Sequence, residues 1–463
     1  MHYLSTRGTA PVLDFRAATL AGLASDGGLY VPAQWPRFSA DDIAGLAGLS
    51  YAETAARVLA PFVGDALAPA ELRQLCGQAY GGFAHAAVAP LVQLDAQHWL
   101  LELFHGPTLA FKDVALQLLG LLFERFLADD ARALTVIGAT SGDTGSAAIA
   151  ALAGRAGVDI FMLHPRGRIS DVQRRQMTTV LSPNVHNIAI EGSFDDAQAL
   201  VKAMFAAPGF ADRFALSAVN SINWARLAAQ IVYYFYAAVR LGAPARPIAF
   251  SVPTGNFGDV YAGYVAAQMG LPVARLIVAT NENDILHRAF ATGHYAAGEV
   301  VPTQAPSMDI QVSSNFERLL FDLNDRDGAA TAAQMASFDR DRRLALSPAQ
   351  RARAALFASA RIDGAVMAQA MRWAWDEAGM LIDPHTAIGL AAARGAAGID
   401  APIVTLATAH PAKFRDAVER ATGRRPPLPA RLGDLFAREE RCATLPATLS
   451  AVTDYIAARA RAA

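Results

Sequence analysis

From residue 134 onward, short apolar runs alternate with helical segments, and this alternation limits the fold more than any other property of the sequence. Six runs rich in β-branched or other apolar residues are predicted to form strands, at 134–137, 159–163, 185–190, 248–252, 275–279 and 403–406. Helices are predicted between them at 146–152, 224–241, 260–269, 366–378 and 386–393. Because parallel strands need long crossovers, the pattern predicts an α/β fold with one or two parallel sheets.

The rest of the chain adds material around this core. The first hundred residues show helical patterns, such as 41–59 and 69–78, and no visible chemistry, which indicates a preceding domain or extension. The apolar stretch 227–239 has 13 residues and stops at Arg240, so it predicts a core helix, because a membrane span needs about 20 residues. The most polar region, 322–347, is predicted to be a surface excursion.

Composition excludes several classes of partner. Of 463 residues, 53% are hydrophobic and 18% charged, which supplies ample material for two or three domains at about 150 residues each. Lys plus Arg is 40 and Asp plus Glu is 42, without long blocks of either sign, which argues against nucleic-acid or membrane surfaces and favours small molecules. The N-terminus lacks a basic region followed by an apolar one, so we expect a cytoplasmic protein. Cys76 and Cys442 are expected to be buried thiols.

Lysine is nearly absent from this chain. Only Lys112, Lys202 and Lys413 occur among the 40 basic residues, and all the others are arginines. A general positive charge tolerates that exchange, but an amine that must attack a carbonyl does not. The three lysines are therefore candidates for chemistry, although Lys202, on a predicted helix at 194–206, is expected to be a surface charge.

Two glycine-rich turns each follow a predicted strand and precede a predicted helix. They are 136–147 (VIGATSGDTGSA) and 250–260 (FSVPTGNFGDV). Free amides at a helix start attract anions, so the first turn suits a carboxylate or phosphate and the second suits a phosphate. Neither carries the ATP-binding or dinucleotide-binding signature. Taken alone, each could equally be a structural turn.

A third segment, 102–113 (ELFHGPTLAFKD), places Lys112 after a Gly-Pro turn at the start of an apolar helical run, 114–122. Burial and a helix N-terminus both lower the pKa of an amine, which would let Lys112 form a Schiff base. A reactive lysine with two anion-binding turns suits an enzyme that holds a phosphorylated aldehyde cofactor and an amino-acid substrate. A purely structural lysine remains the alternative.

Residues 103–113, 139–145 and 255–259 together resemble the threonine synthase family, which comprises fold-type II pyridoxal 5′-phosphate (PLP) enzymes similar in architecture to the tryptophan synthase β-subunit. Residues 3–7 (YLSTR) and 26–32 (DGGLYVP) also resemble the family's longer branch, and the likeness continues to 408–414 (TAHPAKF). The resemblance implies two parallel or mixed sheets flanked by helices. It also implies an N-terminal extension over 1–95 and a PLP-dependent catalytic region over 96–463, with a smaller α/β subdomain around 130–225 inserted in the larger one.

The resemblance assigns roles to individual residues. It implies that Lys112 is the Schiff-base lysine, that Thr408 lies at the pyridine nitrogen of PLP, and that a loop binds the cofactor phosphate through Gly255, Asn256, Phe257 and Asp259. It further implies a loop for the substrate carboxylate that includes Thr140, Ser141, Asp143 and Thr144.

Two of the implied positions leave alternatives open. Relatives carry Asn where this chain has Asp143, and that Asn contacts the cofactor's ring oxygen, so we expect Asp143 to be protonated or to point elsewhere. The segment 220–230 resembles the family's clamp for a substrate phosphate, with Asn220, Ser221 and Arg226, but it also fits an N-capped core helix.

The function implied by the resemblance is conversion of O-phospho-L-homoserine and water to L-threonine and phosphate by a PLP-dependent lyase. The alternatives are a serine or threonine dehydratase, a β-replacing synthase of the same fold, or a catalytically silent binding protein. We predict a monomer or homodimer. No metal is predicted, because the acidic segment 322–328 has Arg326 at a ligand position of a calcium loop.

Overall fold

The computed structural model describes residues 1–128, 133–218 and 221–461. Over these residues the chain forms fifteen strands and nineteen α-helices. In chain order the strands are β1 (Tyr3–Ser5), β2 (Tyr30–Pro32), β3 (Leu91–Gln93), β4 (His98–Glu102), β5 (Leu134–Ala139), β6 (Val158–Pro165), β7 (Val185–Glu191), β8 (Leu216–Ser217), β9 (Ile248–Pro253), β10 (Val273–Thr280), β11 (His294–Ala296), β12 (Arg343–Ala345), β13 (Phe357–Arg361), β14 (Ile403–Ala407) and β15 (Ala443–Pro446).

Helices pack against strands of both sheets, and others form most of the N-terminal part of the chain. They are α1 (Phe15–Ala21), α2 (Ala40–Ala44), α3 (Tyr51–Val63), α4 (Pro69–Gly81), α5 (Lys112–Leu127), α6 (Asp143–Leu152), α7 (Asp171–Thr178), α8 (Phe194–Ala206), α9 (Phe210–Arg213), α10 (Trp224–Arg240), α11 (Gly258–Gln268), α12 (Ile285–Thr292), α13 (Phe316–Leu323), α14 (Gly328–Asp341), α15 (Pro348–Arg353), α16 (Gly364–Ala378), α17 (Pro384–Gly395), α18 (Arg415–Thr422) and α19 (Leu449–Ala457). Two short 3₁₀ helices, Pro306–Met308 and Pro411–Phe414, border the site described below.

The larger sheet has six strands in the order β13–β10–β9–β14–β4–β3. All neighbours run parallel except β3 and β4. Three of the predicted strands, here β9, β10 and β14, lie in it. The adjacent strands β9, β14 and β4 end just before the segments that carry Gly255, Thr408 and Lys112. Because they are parallel, their carboxyl ends lie at one edge of the sheet, where open α/β sheets bind ligands.

The smaller sheet has five parallel strands in the order β15–β7–β6–β5–β8. Strands β5, β6 and β7 are the other three that the sequence predicts, so all six predicted strands are confirmed. Strand β5 ends directly before the turn 140–144 and helix α6. Strand β15 comes from the C-terminal end of the chain, and no pattern in the sequence indicates that pairing.

Helix α10 lies at the centre of the protein. Every residue from 224 to 239 is buried, which confirms the predicted core helix. The N-terminal region packs on its first turn, where the Trp224 ring lies 6.1 Å from Tyr3, 6.0 Å from Trp35 and 5.7 Å from Phe62 between centroids. The N-terminal region is thereby anchored to the helix that carries Arg226.

The helical pattern predicted at 41–59 is wrong as one continuous helix. The structure has two helices, α2 and α3, because Ser50 and Glu53 form a capping box that starts a new helix. The polar region 322–347 does contain a largely exposed helix, α14, in which only Thr331 and Phe338 are buried.

The two cysteines differ in burial. Cys76 is buried as expected, but the expectation for Cys442 is wrong, since that thiol is exposed. It directly precedes β15, which is an edge strand of the smaller sheet. Among the described residues, none of the helices is both long enough and apolar enough to span a membrane.

Candidate active site

Lys112 is the first residue of α5. Its side chain is only 11% exposed. Burial lowers the pKa of the amine, and the positive charges of Arg226 and Lys413 lower it further, although the nearby carboxylate of Asp143 opposes the shift. The Lys112 amine therefore loses its proton more readily than a free lysine does, as a nucleophilic amine must.

Asp143, the first residue of α6, lies between two lysines. Its Oδ2 is 3.5 Å from Lys112 Nζ, and its Oδ1 is 2.8 Å from Lys413 Nζ. Gln173 Nε2 donates to Oδ1 at 2.8 Å, and Ser307 Oγ donates to Oδ2 at 3.3 Å. Burial alone would raise the pKa of Asp143, but the two ammonium groups outweigh it and hold that pKa far below its ordinary value. The Asp143 carboxylate is thus directed at the two lysines and its lowered pKa favours the ionised form, while its role towards the cofactor stays a prediction.

The turn before α6 is organised by Thr140. Its Oγ1 accepts hydrogen bonds from the N–H groups of Gly142 and Gly145, both at 2.9 Å, so this hydroxyl holds the turn together. Gly142 has φ 134°, and a Cβ there would overlap the Gln173 side chain. Within the described part of the chain, the N–H groups of Ser141 and Thr144 donate to no backbone or side-chain acceptor. Both remain available to an anion at the helix start.

The loop between β9 and α11 also has backbone N–H groups without a protein acceptor, and it has more of them. Over the described ranges, none of the N–H groups of residues 255–260 donates to a protein acceptor. Phe257 adopts a left-handed conformation with φ 64°, and its ring is buried against Phe290 and Phe316. This strained residue turns the chain so that successive amides precede the helix, an arrangement that binds phosphate.

Asp259 belongs to this loop, but its carboxylate faces α10. The hydroxyls of Tyr233 and Tyr234 both donate to Asp259 Oδ1. Burial raises the pKa of Asp259 to about 6, against these two hydrogen bonds and the charge of Arg226, which favour the ionised form. Oδ1 is thus held by α10, whereas Oδ2 is buried without a hydrogen-bond partner among the described residues, so an anion at this loop would contact Asp259 through its backbone N–H.

Arg226 lies in the first turn of α10 and is buried. The side chain of Asn223 caps this helix by accepting from the N–H of Ala225 at 3.0 Å. Burial lowers the pKa of Arg226 to about 10. Ser221 lies beside the 255–260 loop, because a Cβ placed on Gly258 would be 3.7 Å from the Cβ of Ser221. Asn220 lies outside the described residues.

Thr408 lies beside Phe111, the residue that precedes Lys112. The Thr408 carbonyl accepts from the N–H of Phe111 at 2.8 Å, so the loop that carries Lys112 is fixed against the end of β14. The structure thereby brings Lys112, Thr408 and Asp143 together. Asp143 is joined to the 255–260 loop through Ser307, whose carbonyl oxygen would be 3.0 Å from a Cβ on Gly255.

These residues fit PLP. The free amides of residues 255–260 suit its phosphate, and no side chain at Gly255 could be accommodated without moving residues 307–310. The Lys112 amine, with its lowered pKa, suits attachment to the aldehyde. Across the described chain, no three His, Cys, Asp or Glu side chains lie close enough together to hold a metal ion.

Sequence reasoning missed several neighbours of the site. Lys413, Gln173 and Ser307 all contact Asp143, and Asn315 donates to the carbonyl of Asn256 at 3.2 Å. The rarity of lysine was a signal for Lys413, although nothing in the sequence placed it beside Asp143. The other three come from distant segments and carry no motif of their own.

Three family models match successive parts of the chain: "Threonine synthase N terminus" over residues 2–80, "Pyridoxal-phosphate dependent enzyme" over 84–359 and "Threonine synthase, C-terminal" over 386–456. A threonine synthase from Pseudomonas aeruginosa is 55% identical over 459 residues, which covers 98% of each chain. The crystal structure of PLP-bound threonine synthase from Brucella melitensis has 52% identity and a TM-score of 0.97, and the match covers 100% of both chains. Yeast threonine synthase has 37% identity and a TM-score of 0.92, and the match covers 98% of both chains.

The two sheets and the loops at their edges, together with these matches, define a PLP-dependent enzyme of fold type II. Its cofactor is PLP. Within that class, the chain belongs to the threonine synthase family.

Proposed function

We propose that this enzyme is a carbon–oxygen lyase that converts O-phospho-L-homoserine and water to L-threonine and phosphate. The proposal is supported by one observation: two groups that can each bind a phosphate lie near the same lysine, Lys112. The free amides of residues 255–260 suit the cofactor phosphate, and the buried guanidinium of Arg226 lies near enough to Lys112 for its charge to lower the pKa of that amine. The family membership supports the same conclusion.

PLP, when bound, withdraws electron density from the α and β carbons of an amino acid, so that protons on those carbons become removable. In our proposal Lys112 Nζ moves those protons. The lowering of its pKa favours loss of the proton and so the neutral amine that accepts one, and Asp143, 3.5 Å away, orients it.

The remaining residues bind and orient. The free N–H groups of Ser141 and Thr144 are assigned to the substrate carboxylate, and Thr140 holds their turn. Gly255, Asn256, Phe257 and Asp259 are assigned to the cofactor phosphate through their amides. Arg226, with Ser221 and Asn220, is assigned to the substrate phosphate, and Thr408 to the pyridine nitrogen. We also propose a cytoplasmic location and a monomeric or homodimeric state.

The alternatives make different demands on the site. A dehydratase or β-replacing synthase acts on a substrate without a phosphate on the γ carbon, so it has no use for Arg226 as a clamp. A silent binding protein has no use for a buried lysine whose pKa is lowered by its surroundings. The site as built is accounted for most fully by γ-phosphate elimination.

Turnover of O-phospho-L-homoserine in heavy water tests the proposal. If Lys112 removes the α proton and then a β proton, phosphate leaves the γ carbon, which must then regain a proton. We expect threonine with solvent deuterium at both the α and γ positions, together with one phosphate released per threonine. Partial γ label is compatible, since a sequestered amine can return the proton that it removed. Threonine labelled only at the α carbon, under conditions where the Lys112 amine is shown to exchange, would contradict the proposal.

The lysine assignment is tested separately. Borohydride reduction of the holoenzyme fixes PLP to the lysine that carries it, and peptide mapping should find the label on Lys112. Lys413 is the competing candidate, but its side chain is completely enclosed and bonded to Asp143 and to the Thr108 carbonyl. A label on Lys413 or Lys202 would refute the assignment.

A further inference from the structure

Lys413 is the most deeply buried lysine of the three and has no role so far. It lies in the 3₁₀ turn after β14, and its side chain is 0% exposed. Its Nζ donates to Asp143 Oδ1 and to the carbonyl of Thr108, both at 2.8 Å. A buried ammonium destabilises the folded state unless its charge is compensated, so Lys413 needs a carboxylate partner.

Several charged groups surround the Lys413–Asp143 ion pair. Asp143 faces Lys413 on one oxygen and Lys112 on the other. The second carboxyl near Lys413 is Asp113, which is buried and accepts from both the N–H and the hydroxyl of Thr108. Arg226 is a further cation whose charge acts on Lys112.

We propose that Lys413 is a positioning residue that neutralises Asp143, so that Asp143 can orient the Lys112 amine without holding a proton on it. The inference rests on the proposed role of Lys112. The geometry supports it because the Lys413 contact to Asp143 is shorter, at 2.8 Å, than the Lys112 contact at 3.5 Å. The carboxylate charge is thus compensated mainly by the lysine that does no chemistry.

Each substitution then has an expected sign. In K413M, Asp143 and Lys112 become an isolated buried ion pair, and the pKa of Lys112 rises because its ammonium form gains an uncompensated carboxylate. In D143N, Lys413 and Arg226 act on Lys112 without opposition, and the pKa of Lys112 falls. In the double variant K413M/D143N both charges disappear, and the pKa of Lys112 returns towards that of the unsubstituted enzyme. The two single effects are therefore opposite in sign and cancel in the double variant.

The experiment uses the apoenzyme, so that it does not depend on turnover. PLP and cyanoborohydride are added over a range of pH, and mass spectrometry follows the initial rate of labelling of the Lys112 peptide, since only the neutral amine attacks the aldehyde. We expect the midpoint of the pH profile to move up by about one pH unit or more in K413M, which slows labelling about tenfold below the midpoint. It should move down in D143N and return to within about half a pH unit in the double variant. Lys202 is exposed on α8, so K202M is the matched control and should leave the profile unchanged.

A K413M profile that coincides with the unsubstituted one would overturn the inference. If K413M does not fold, K413Q, which keeps a hydrogen-bond donor and removes the charge, is measured in its place, and a K413Q profile that coincides with the unsubstituted one would overturn the inference. Labelling of another lysine would refute the proposed role of Lys112. Labelling of Lys112 with unshifted profiles would refute only the role of Lys413.

Discussion

Substitution of Gly255 by alanine tests the loop assigned to the cofactor phosphate. A Cβ at this position would lie 3.0 Å from the Ser307 carbonyl oxygen, 3.0 Å from Ile310 Cδ1 and 3.3 Å from Met308 Cα. Two of these three neighbours are backbone atoms, so relief requires movement of the 255–260 loop or of the 3₁₀ turn at Pro306–Met308. Overpacking of this kind costs about 1–3 kcal/mol. If the strain is relieved by moving the amides, the dissociation constant of PLP should rise roughly 5- to 150-fold.

Equilibrium dialysis of PLP against the apoenzyme measures this change directly. The matched control is Gly77→Ala. Gly77 is exposed on α4, and a Cβ placed there has no neighbouring atom within 4 Å. That control should leave PLP affinity unchanged and stabilise the helix by up to about 1 kcal/mol. The reasoning is refuted if Gly255→Ala folds and binds PLP as tightly as the unsubstituted enzyme.

Three further predictions concern charged groups. Arg226→Ala should cost about 2–4 kcal/mol in transition-state binding, a roughly 30- to 900-fold fall in kcat/KM for O-phospho-L-homoserine, while cofactor absorbance stays intact. The pKa of Asp259 is raised from its ordinary value of 3.8 to about 6. Ionisation of this carboxyl therefore destabilises the folded state as the pH rises from the lower of these values to the higher. The free energy of unfolding of Asp259→Asn, measured in urea, should therefore gain about 2 kcal/mol relative to the unsubstituted enzyme between pH 4 and pH 7, and a constant difference would contradict this. Arg318→Met leaves the buried carbonyls of Tyr30 and Ile222 without their donor, so the free energy of unfolding should fall by roughly 2–5 kcal/mol, and an unchanged urea midpoint would count against it.

The sequence predicted what local patterns encode. Strands β5, β6, β7, β9, β10 and β14 are continuous apolar runs, typical of strands buried on both faces, and each was predicted. The turns before α6 and α11 were predicted because glycine and hydroxyl residues accumulate where a strand meets a helix. The break between α2 and α3 was missed, although Gly45 and Gly48 interrupt the alanine-rich pattern and Ser50 and Glu53 have the spacing of a capping box.

Long-range pairings could not be predicted in the same way. Asp143 and Lys413 are 270 positions apart in the numbering, and their contact depends on how β14 lies relative to the smaller sheet. The same holds for Ser307, which approaches both Asp143 and the Gly255 loop from a 3₁₀ turn without any motif. Such residues are specified by tertiary packing, and a single sequence carries no local signal for it.

The N-terminal region gains a physical role from the contacts of Arg318. This buried guanidinium donates to the Tyr30 carbonyl in β2, to the Ile222 carbonyl four residues before Arg226, and to the side chain of Asn315. Asn315 in turn donates to the carbonyl of Asn256, in the loop assigned to the cofactor phosphate.

A second connection runs through Asn223, which caps α10 and donates to the Thr19 carbonyl in α1 at 2.8 Å. Displacing the N-terminal region would therefore disturb the start of α10 and the 255–260 loop together. Because these contacts reach both assigned phosphate sites, the N-terminal region is part of the framework that fixes the separation of those two sites.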